Sequence, residues 1–214
     1  MIDYIWRINN FDVFYTNETN GGGDYFALEY IDIVKEWYGT VDHVLEWCSG
    51  PGFIGYGMLA SDAAKNVTLS DMYLPAVELA QQTKDNSDFP DAINVVHGRS
   101  LENVTGTFDL VVSNPPHWAS TKHAADSLGI NVASFKHVED ILVDVDWNSH
   151  KEFFTNVKHL LSKDGRILLQ ENNNGSNPKD FEQMILDAGL KITFTAQSRM
   201  YADKGIYYME ITHA

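Results

Sequence analysis

Two strand-like runs near the C-terminus, residues 191–197 and 206–212, are joined by only a short connection. A parallel crossover needs at least ~10–12 residues, so these runs, if they are neighbours, must pair antiparallel. The chain before them reads differently. Short apolar runs at 41–47, 67–70, 93–96, 108–112 and 166–170 alternate with helical spacing at 25–37, 53–65, 75–83, 151–161 and 181–188. Strands alternating with helices build a doubly wound, mostly parallel sheet. The pattern predicts an α/β fold whose seven-stranded sheet is parallel except for an antiparallel C-terminal hairpin.

The 214 residues suit one globular unit. Residues 1–40, aromatic and Asn-rich up to Gly21-Gly22-Gly23, read as an N-terminal lid or extension, and 41–214 as the main body. Within it, 119–149 is less regular and reads as a substrate-specificity insert. Fifteen Lys and Arg face thirty Asp and Glu, a net charge of −15. A protein that tracks a nucleic-acid backbone needs clustered cations to displace phosphate counterions; here they are scattered, so free nucleic acid is disfavoured but not excluded. Cys48 stands alone, which removes any internal disulfide and any thiolate zinc site. The start carries an early acid and no long apolar run, and no stretch reaches the ~18 apolar residues of a membrane span. The expectation is a soluble protein of a reducing, cytoplasmic compartment.

Gly50-Pro-Gly-Phe-Ile-Gly55 follows a predicted strand and opens a predicted helix. Such a turn lets a nucleoside-bearing ligand approach the backbone at the carboxyl end of the first body strand. Asp71 lies at the end of the next strand, where a carboxylate can accept from both ribose hydroxyls. NAD would use the same glycines and acid, but Glu46, four residues before Gly50, would face a ligand already bearing two phosphate charges. The closing hairpin also fits poorly with an all-parallel dinucleotide sheet. A cationic sulfonium with an ammonium suits this acidic mouth better.

The stretch Val44-Leu-Glu-Trp-Cys-Ser-Gly-Pro-Gly52 resembles motif I of class I S-adenosylmethionine-dependent methyltransferases, with Cys48 where the family has its first glycine. Asp71 is similar to the family's ribose-binding acid. Phe108-Asp-Leu-Val-Val-Ser-Asn-Pro-Pro-His117 resembles motif IV of the amino-methylating branch. Residues 160–171 and the closing hairpin are similar to the family's last three strands. The resemblance runs from about residue 41 to the C-terminus and implies a Rossmann-like sheet. It implies S-adenosylmethionine as cofactor, with S-adenosylhomocysteine as product, held by Glu46, Ser49, Gly50, Gly52, Phe53, Asp71, Met72, Arg99, Ser100 and Asn114. The acid that often reads the adenine amino group is replaced around Gly98-Arg99-Ser100, where Ser100 or a backbone group would do that work.

Motif IV carries the chemistry. The lone pair of an amide or aromatic amine is delocalised into its π-system, so methylating it requires acceptors that hold the NH₂ group. The Asn114 side-chain oxygen and the Pro115 carbonyl are two such acceptors, and Pro115 and Pro116 stiffen the segment because proline fixes φ. A flat ring after the motif then clamps a planar substrate; the family has an aromatic residue where this chain has His117, and Trp118 is a second candidate for stacking. His117 has two readings, proton acceptor or packing ring. The expected acceptors are a protein glutamine, a nucleobase amine or a small molecule, methylated by in-line displacement. His117, His123, His137 and His150 with Asp144 and Asp146 share one window, but their spacing matches no standard metal cluster; no metal is expected. Two other readings compete: an NAD-dependent oxidoreductase using the same glycine turn, and a cofactor-binding regulatory subunit whose motif IV has drifted.

Overall fold

The computed structural model describes residues 4–131 and 139–214. Its centre is a seven-stranded sheet in the order β5-β4-β3-β6-β7-β9-β8, built from β3 (Val41–Trp47), β4 (Ala64–Asp71), β5 (Ile93–His97), β6 (Phe108–Ser113), β7 (Leu161–Asn172), β8 (Leu190–Gln197) and β9 (Ile206–His213). The pairs among β3 to β7 are parallel, whereas β9 runs antiparallel to both β7 and β8. The short connection between the last strands thus has the consequence its length dictates.

Both faces of the sheet are covered, so its strands are apolar on both sides rather than alternating with polar residues. Successive residues divide between two cores. Val44, Leu110, Val112, Leu168 and Tyr208 pack with α1 (Gly23–Tyr38) and α2 (Phe53–Ala60), which contribute Tyr30, Ile33, Val34, Tyr56 and Met58. Leu45, Trp47, Val111, Ile167, Leu169 and Met209 meet Phe153, Phe154 and Val157 of the helix Asn148–Val157, and Phe181 and Ile185 of the helix Pro178–Asp187. A one-residue slip in any of these strands would exchange the two sets. Ahead of the sheet, β1 (Tyr4–Ile8) and β2 (Phe11–Tyr15) form an antiparallel hairpin. It docks on α3 (Leu74–Asp85), where the Phe14 N–H donates to Thr83 Oγ1.

Two predicted boundaries move. The helix expected over 53–65 stops at Ala60: Asp62 turns the chain at φ 56°, and Ala64 already pairs with Val41. Edge pairing with β3 overrides helical spacing there. The run expected at 166–170 is twelve residues long, and the Asp164-Gly165 turn before it lies inside the strand. The register between β6 and β7 shifts there, and a Cβ on Gly165 would come within 2.9 Å of the Phe108 carbonyl oxygen, so only glycine fits this bulge. Residues 119–149 contain α4 (Thr121–Leu128), capped by Ser120, and the short helix Glu139–Leu142. Trp118 and Val143 form an isolated bridge that ties this segment back to the end of motif IV. His137 lies outside the described residues. Among the described residues, no helix is long and apolar enough to cross a membrane.

Candidate active site

The strand order reverses between β3 and β6, and in open α/β sheets a crevice forms outside the carboxyl ends at such a point. A cavity of about 560 Å³ lies there. The end of β3, the start of α2, the end of β4 and the Asn114–His117 loop line it, together with residues 18–27, 141–149 and Gln170.

The β3 wall is made of backbone. Gly50 (φ 53°) faces the cavity, and its N–H donates to Asp71 Oδ2 at 2.7 Å. Asp71 Oδ1 accepts from the Tyr73 N–H at 2.8 Å. A carboxylate has about four lone-pair positions, so these bonds orient Asp71 and leave acceptor capacity for a diol. Burial raises its pKa, partly offset by the amides of Tyr73, Gly50 and Met72. Glu46 is buried, and its Oε2 accepts from the Gly55 N–H at 2.7 Å. Burial outweighs that bond and pushes the carboxyl up to about 8. Gly52 is required for packing: at φ 91°, a Cβ would sit 2.7 Å from Leu69 and 2.8 Å from the Tyr56 ring. Cys48 takes φ 52°, and burial pushes its thiol well above the usual range, which suits a small packing residue and not a nucleophile.

The β6 wall is made of side chains. The Ser113 N–H donates to the Tyr30 hydroxyl at 3.1 Å, and that hydroxyl donates to the Leu168 carbonyl. One buried tyrosine of α1 thereby pins β6 to β7 just before Asn114. The Asn114 Oδ1 is buried without a hydrogen-bond partner while its residue lines the cavity. Gln170 repeats the situation: its Nε2 donates to Tyr208 Oη at 2.7 Å, and its Oε1 is buried without a partner. Unpaired buried acceptors are costly and call for a donor.

Behind the loop the structure joins residues that the sequence had grouped only as a histidine-rich window. His117 Nδ1 is 3.2 Å from Glu171 Oε2, Glu171 Oε1 is 3.2 Å from His150 Nε2, and His150 Nδ1 is 2.7 Å from Asp144 Oδ2. Burial alone would lower the His150 pKa, but its bonds to Asp144 and Glu171 outweigh this and raise it to about 9. Against the opposing effect of burial, the bond from His150 holds the Asp144 carboxyl below its usual range, and the bonds from His117 and His150 do the same for Glu171. His123 and Asp146 are exposed, and among the described residues no three His, Cys, Asp or Glu side chains converge as a metal site.

Of the expected cofactor residues, Glu46, Ser49, Gly50, Phe53, Asp71, Met72, Arg99 and Asn114 reach the cavity wall, as do Pro115, Pro116 and His117. Gly52, Ser100 and Trp118 do not. Ser100 sits at φ 51° with its carbonyl accepting from Ser70 Oγ, and its own hydroxyl is buried elsewhere. Trp118 is 2% exposed and packs with Ala124, Ala125 and Val143, so of these two rings His117 is the one in the cavity lining. Arg99 is held at the rim by a two-point ion pair with Glu152, at 2.8 and 2.9 Å. Sequence reasoning missed Gln170, Glu171 and Tyr30. The one available signal was polar residues inside otherwise apolar runs, Gln170-Glu171 after Ile167-Leu-Leu169.

The cavity's dimensions and lining fit a cationic nucleoside: the acids Asp71 and Glu46 bonded to Gly50 and Gly55, apolar surface from Met72 and Phe53, and two orphaned acceptors. Residues 28–131 match the family described as methyltransferase small domain. A bifunctional methyltransferase of Rickettsia bellii is 27% identical over 60% of this chain and 23% of its own length. A ribosomal protein uL3 glutamine methyltransferase of Neisseria gonorrhoeae is 23% identical over 65% of this chain and 46% of its own. A ribosomal RNA small subunit methyltransferase C of a Marinomonas species is 24% identical over 76% and 37%, respectively. The chain thus spans less than half the length of these curated relatives. A TehB-like S-adenosylmethionine-dependent methyltransferase from Corynebacterium glutamicum shares the fold, with a TM-score of 0.56, 19% identity and 89% of both chains covered. The chain is thus similar in sequence to methyltransferases, over residues 28–131 and in these curated relatives, and shares the sheet of a solved methyltransferase.

Proposed function

We propose that this chain transfers a methyl group from S-adenosylmethionine to a planar nitrogen, the NH₂ of an amide or aromatic amine. The observation that carries the reading is Asn114 Oδ1, a buried acceptor without a partner just after β6, with Pro115 beside it in the cavity wall. Two acceptors held this way take both hydrogens of an NH₂ group and turn its lone pair toward the donor. When bound, the cofactor supplies the electrophilic sulfonium methyl. Asp71 would accept from its ribose hydroxyls, a bound cation would favour the ionised form of the buried Glu46 carboxyl, and Met72 and Phe53 would flank its base and tail. The protein's own contribution is approximation, orientation and exclusion of water, effects worth ~7–11 kcal/mol in well-aligned systems.

The relatives act on a ribosomal protein glutamine and on ribosomal RNA; a glutamine amide and a nucleobase amine are both planar nitrogens. The reading extends to a cytoplasmic, reducing setting, on the strength of the single cysteine. The test is thermal stabilisation by S-adenosylhomocysteine, with NAD in parallel. Ligand at 100 times its dissociation constant adds ~2.7 kcal/mol. A shift with the sulfur nucleoside alone supports the reading; a shift with NAD alone sinks it. Transfer of labelled methyl to glutamine-containing peptides and to RNA oligonucleotides then separates the acceptor classes.

A further inference from the structure

The hydrogen-bonded line Asp144–His150–Glu171–His117 is assembled from separate segments and buried for most of its length. Its proton positions follow from chemistry. An ionised carboxylate only accepts, so any imidazole nitrogen facing one must carry hydrogen. His150 faces carboxylates with both nitrogens and is therefore an imidazolium. His117 faces Glu171 with Nδ1 alone, so Nδ1 carries hydrogen, and in the neutral ring the lone pair is on Nε2. Glu171 has no freedom to relax this, because Ser176 Oγ also donates to its Oε2, at 2.8 Å. The far end is closed, with Asp144 accepting from the N–H groups of Ser149 and His150 at 2.8 and 3.0 Å. The near end opens at His117 on the cavity wall.

With His117 neutral, the line carries two negative charges and one positive. A proton arriving at His117 Nε2 makes that ring an imidazolium paired with Glu171, so the incoming charge is met by a carboxylate already hydrogen-bonded to the ring. We propose that His117 Nε2 is the acceptor for the proton released by the methylated nitrogen, and that Glu171 is the positioning residue that fixes its tautomer. This rests on the methyl-transfer reading above. The bonds balance: the nitrogen lone pair forms the new N–C bond and the C–S electron pair stays on sulfur. The N–H electrons stay on nitrogen as one of its two protons leaves its acceptor in the motif IV loop and passes to Nε2. The acceptor class is thereby narrowed to nitrogens that still carry hydrogen when they attack.

Long-range ¹H–¹⁵N spectra of histidine-labelled protein with S-adenosylhomocysteine decide the ring states without any acceptor. The expected result is one ring whose neutral form carries its hydrogen on Nδ1, lost in His117→Asn, and one ring protonated at both nitrogens, lost in His150→Asn. A wild-type His117 ring in the Nε2–H form overturns the proposal even if no variant folds. In Glu171→Gln the His117 ring should leave the Nδ1–H form. Its kcat toward the acceptor peptide or oligonucleotide should fall about a hundredfold, with KM for S-adenosylmethionine within twofold of wild type. Unchanged kcat overturns the role. Loss of the S-adenosylhomocysteine shift in the wild type would instead strike the methyltransferase reading, and the ring spectra would still stand.

Discussion

The two walls of the cavity are built differently. On the β3–β4 side the acids are answered by amides of the chain itself, Glu46 by Gly55 and Asp71 by Gly50 and Tyr73. On the β6–β7 side the acids are answered by imidazoles, those on Glu171 from distant segments, and two amide oxygens, of Asn114 and Gln170, have no donor among the described residues. The first wall is a shape set by a glycine turn and tolerates loss of one side chain. The second is a set of mutually dependent side chains whose members cannot be removed singly without stranding a charge or an acceptor.

The contrast is broken most severely at Glu171. Truncating it to alanine leaves two buried imidazoles without their shared carboxylate, and removing one partner of such a set costs about 3–5 kcal/mol. At ~2–4 °C per kcal/mol for a chain of this size, calorimetry should show a Tm drop on the order of 10 °C; a drop under 2 °C would mean that the network contributes nothing. Asn114→Ala should lower methyl transfer about 10²- to 10³-fold, the scale of losing one preorganised polar contact. Its thermal shift with S-adenosylhomocysteine should be retained, and unchanged turnover would remove motif IV from the chemistry. Asp71→Ala, on the tolerant wall, should weaken S-adenosylhomocysteine binding by about ten- to a hundredfold, the value of a hydrogen bond to a charged group. Titration calorimetry reads this directly.

Proton linkage separates the walls without losing a fold. Glu46, raised from 4.5 to about 8, makes ionisation unfavourable in the native state, so its stability contribution declines as pH climbs from about 4.5 to 8. His150, raised from 6.5 to about 9, contributes stability that is full below 6.5 and gone above about 9. Asp144 and Glu171, both lowered, lose their contribution in acid. Tm should peak in mild acid and fall toward pH 9. Glu46→Gln should flatten only the part of the decline below about pH 8, and a decline unaltered by that change would contradict the Glu46 assignment. The smallest effect is expected at Tyr30→Phe, which removes the hydroxyl that joins Ser113 to Leu168. The loss is on the order of 1 kcal/mol, measurable by denaturant midpoint.

This division also marks how far the sequence could be read. The sheet, its closing hairpin and the Gly50–Asp71 wall rest on local signals, namely strand period, connection length and a glycine turn between adjacent elements. The second wall is non-local. Glu171 lies 54 residues from His117 and 21 from His150, so no window of sequence holds the network, and a count of nearby histidines suggests a metal before a proton line. Trp118 shows the same limit at close range. One residue beyond His117, it turns into a small core beneath α4 because the bridge to Val143 rotates the chain there. Asp164-Gly165 fails differently: its turn chemistry is real, but a bulge uses it inside a strand.

The Tyr30 bond has a consequence for where this protein can be cut. A boundary near residue 40 separates an N-terminal segment from the sheet in sequence, yet Tyr30, fully buried in α1, is the strut between β6 and β7 at the level of the motif IV loop. A chain trimmed to begin at Val41 would keep every residue of the glycine turn and of Asn114–His117, and would leave the loop carrying them free to shift by the tenths of an ångström that alignment depends on. The segment that reads as a cover over the cavity also serves as its keystone.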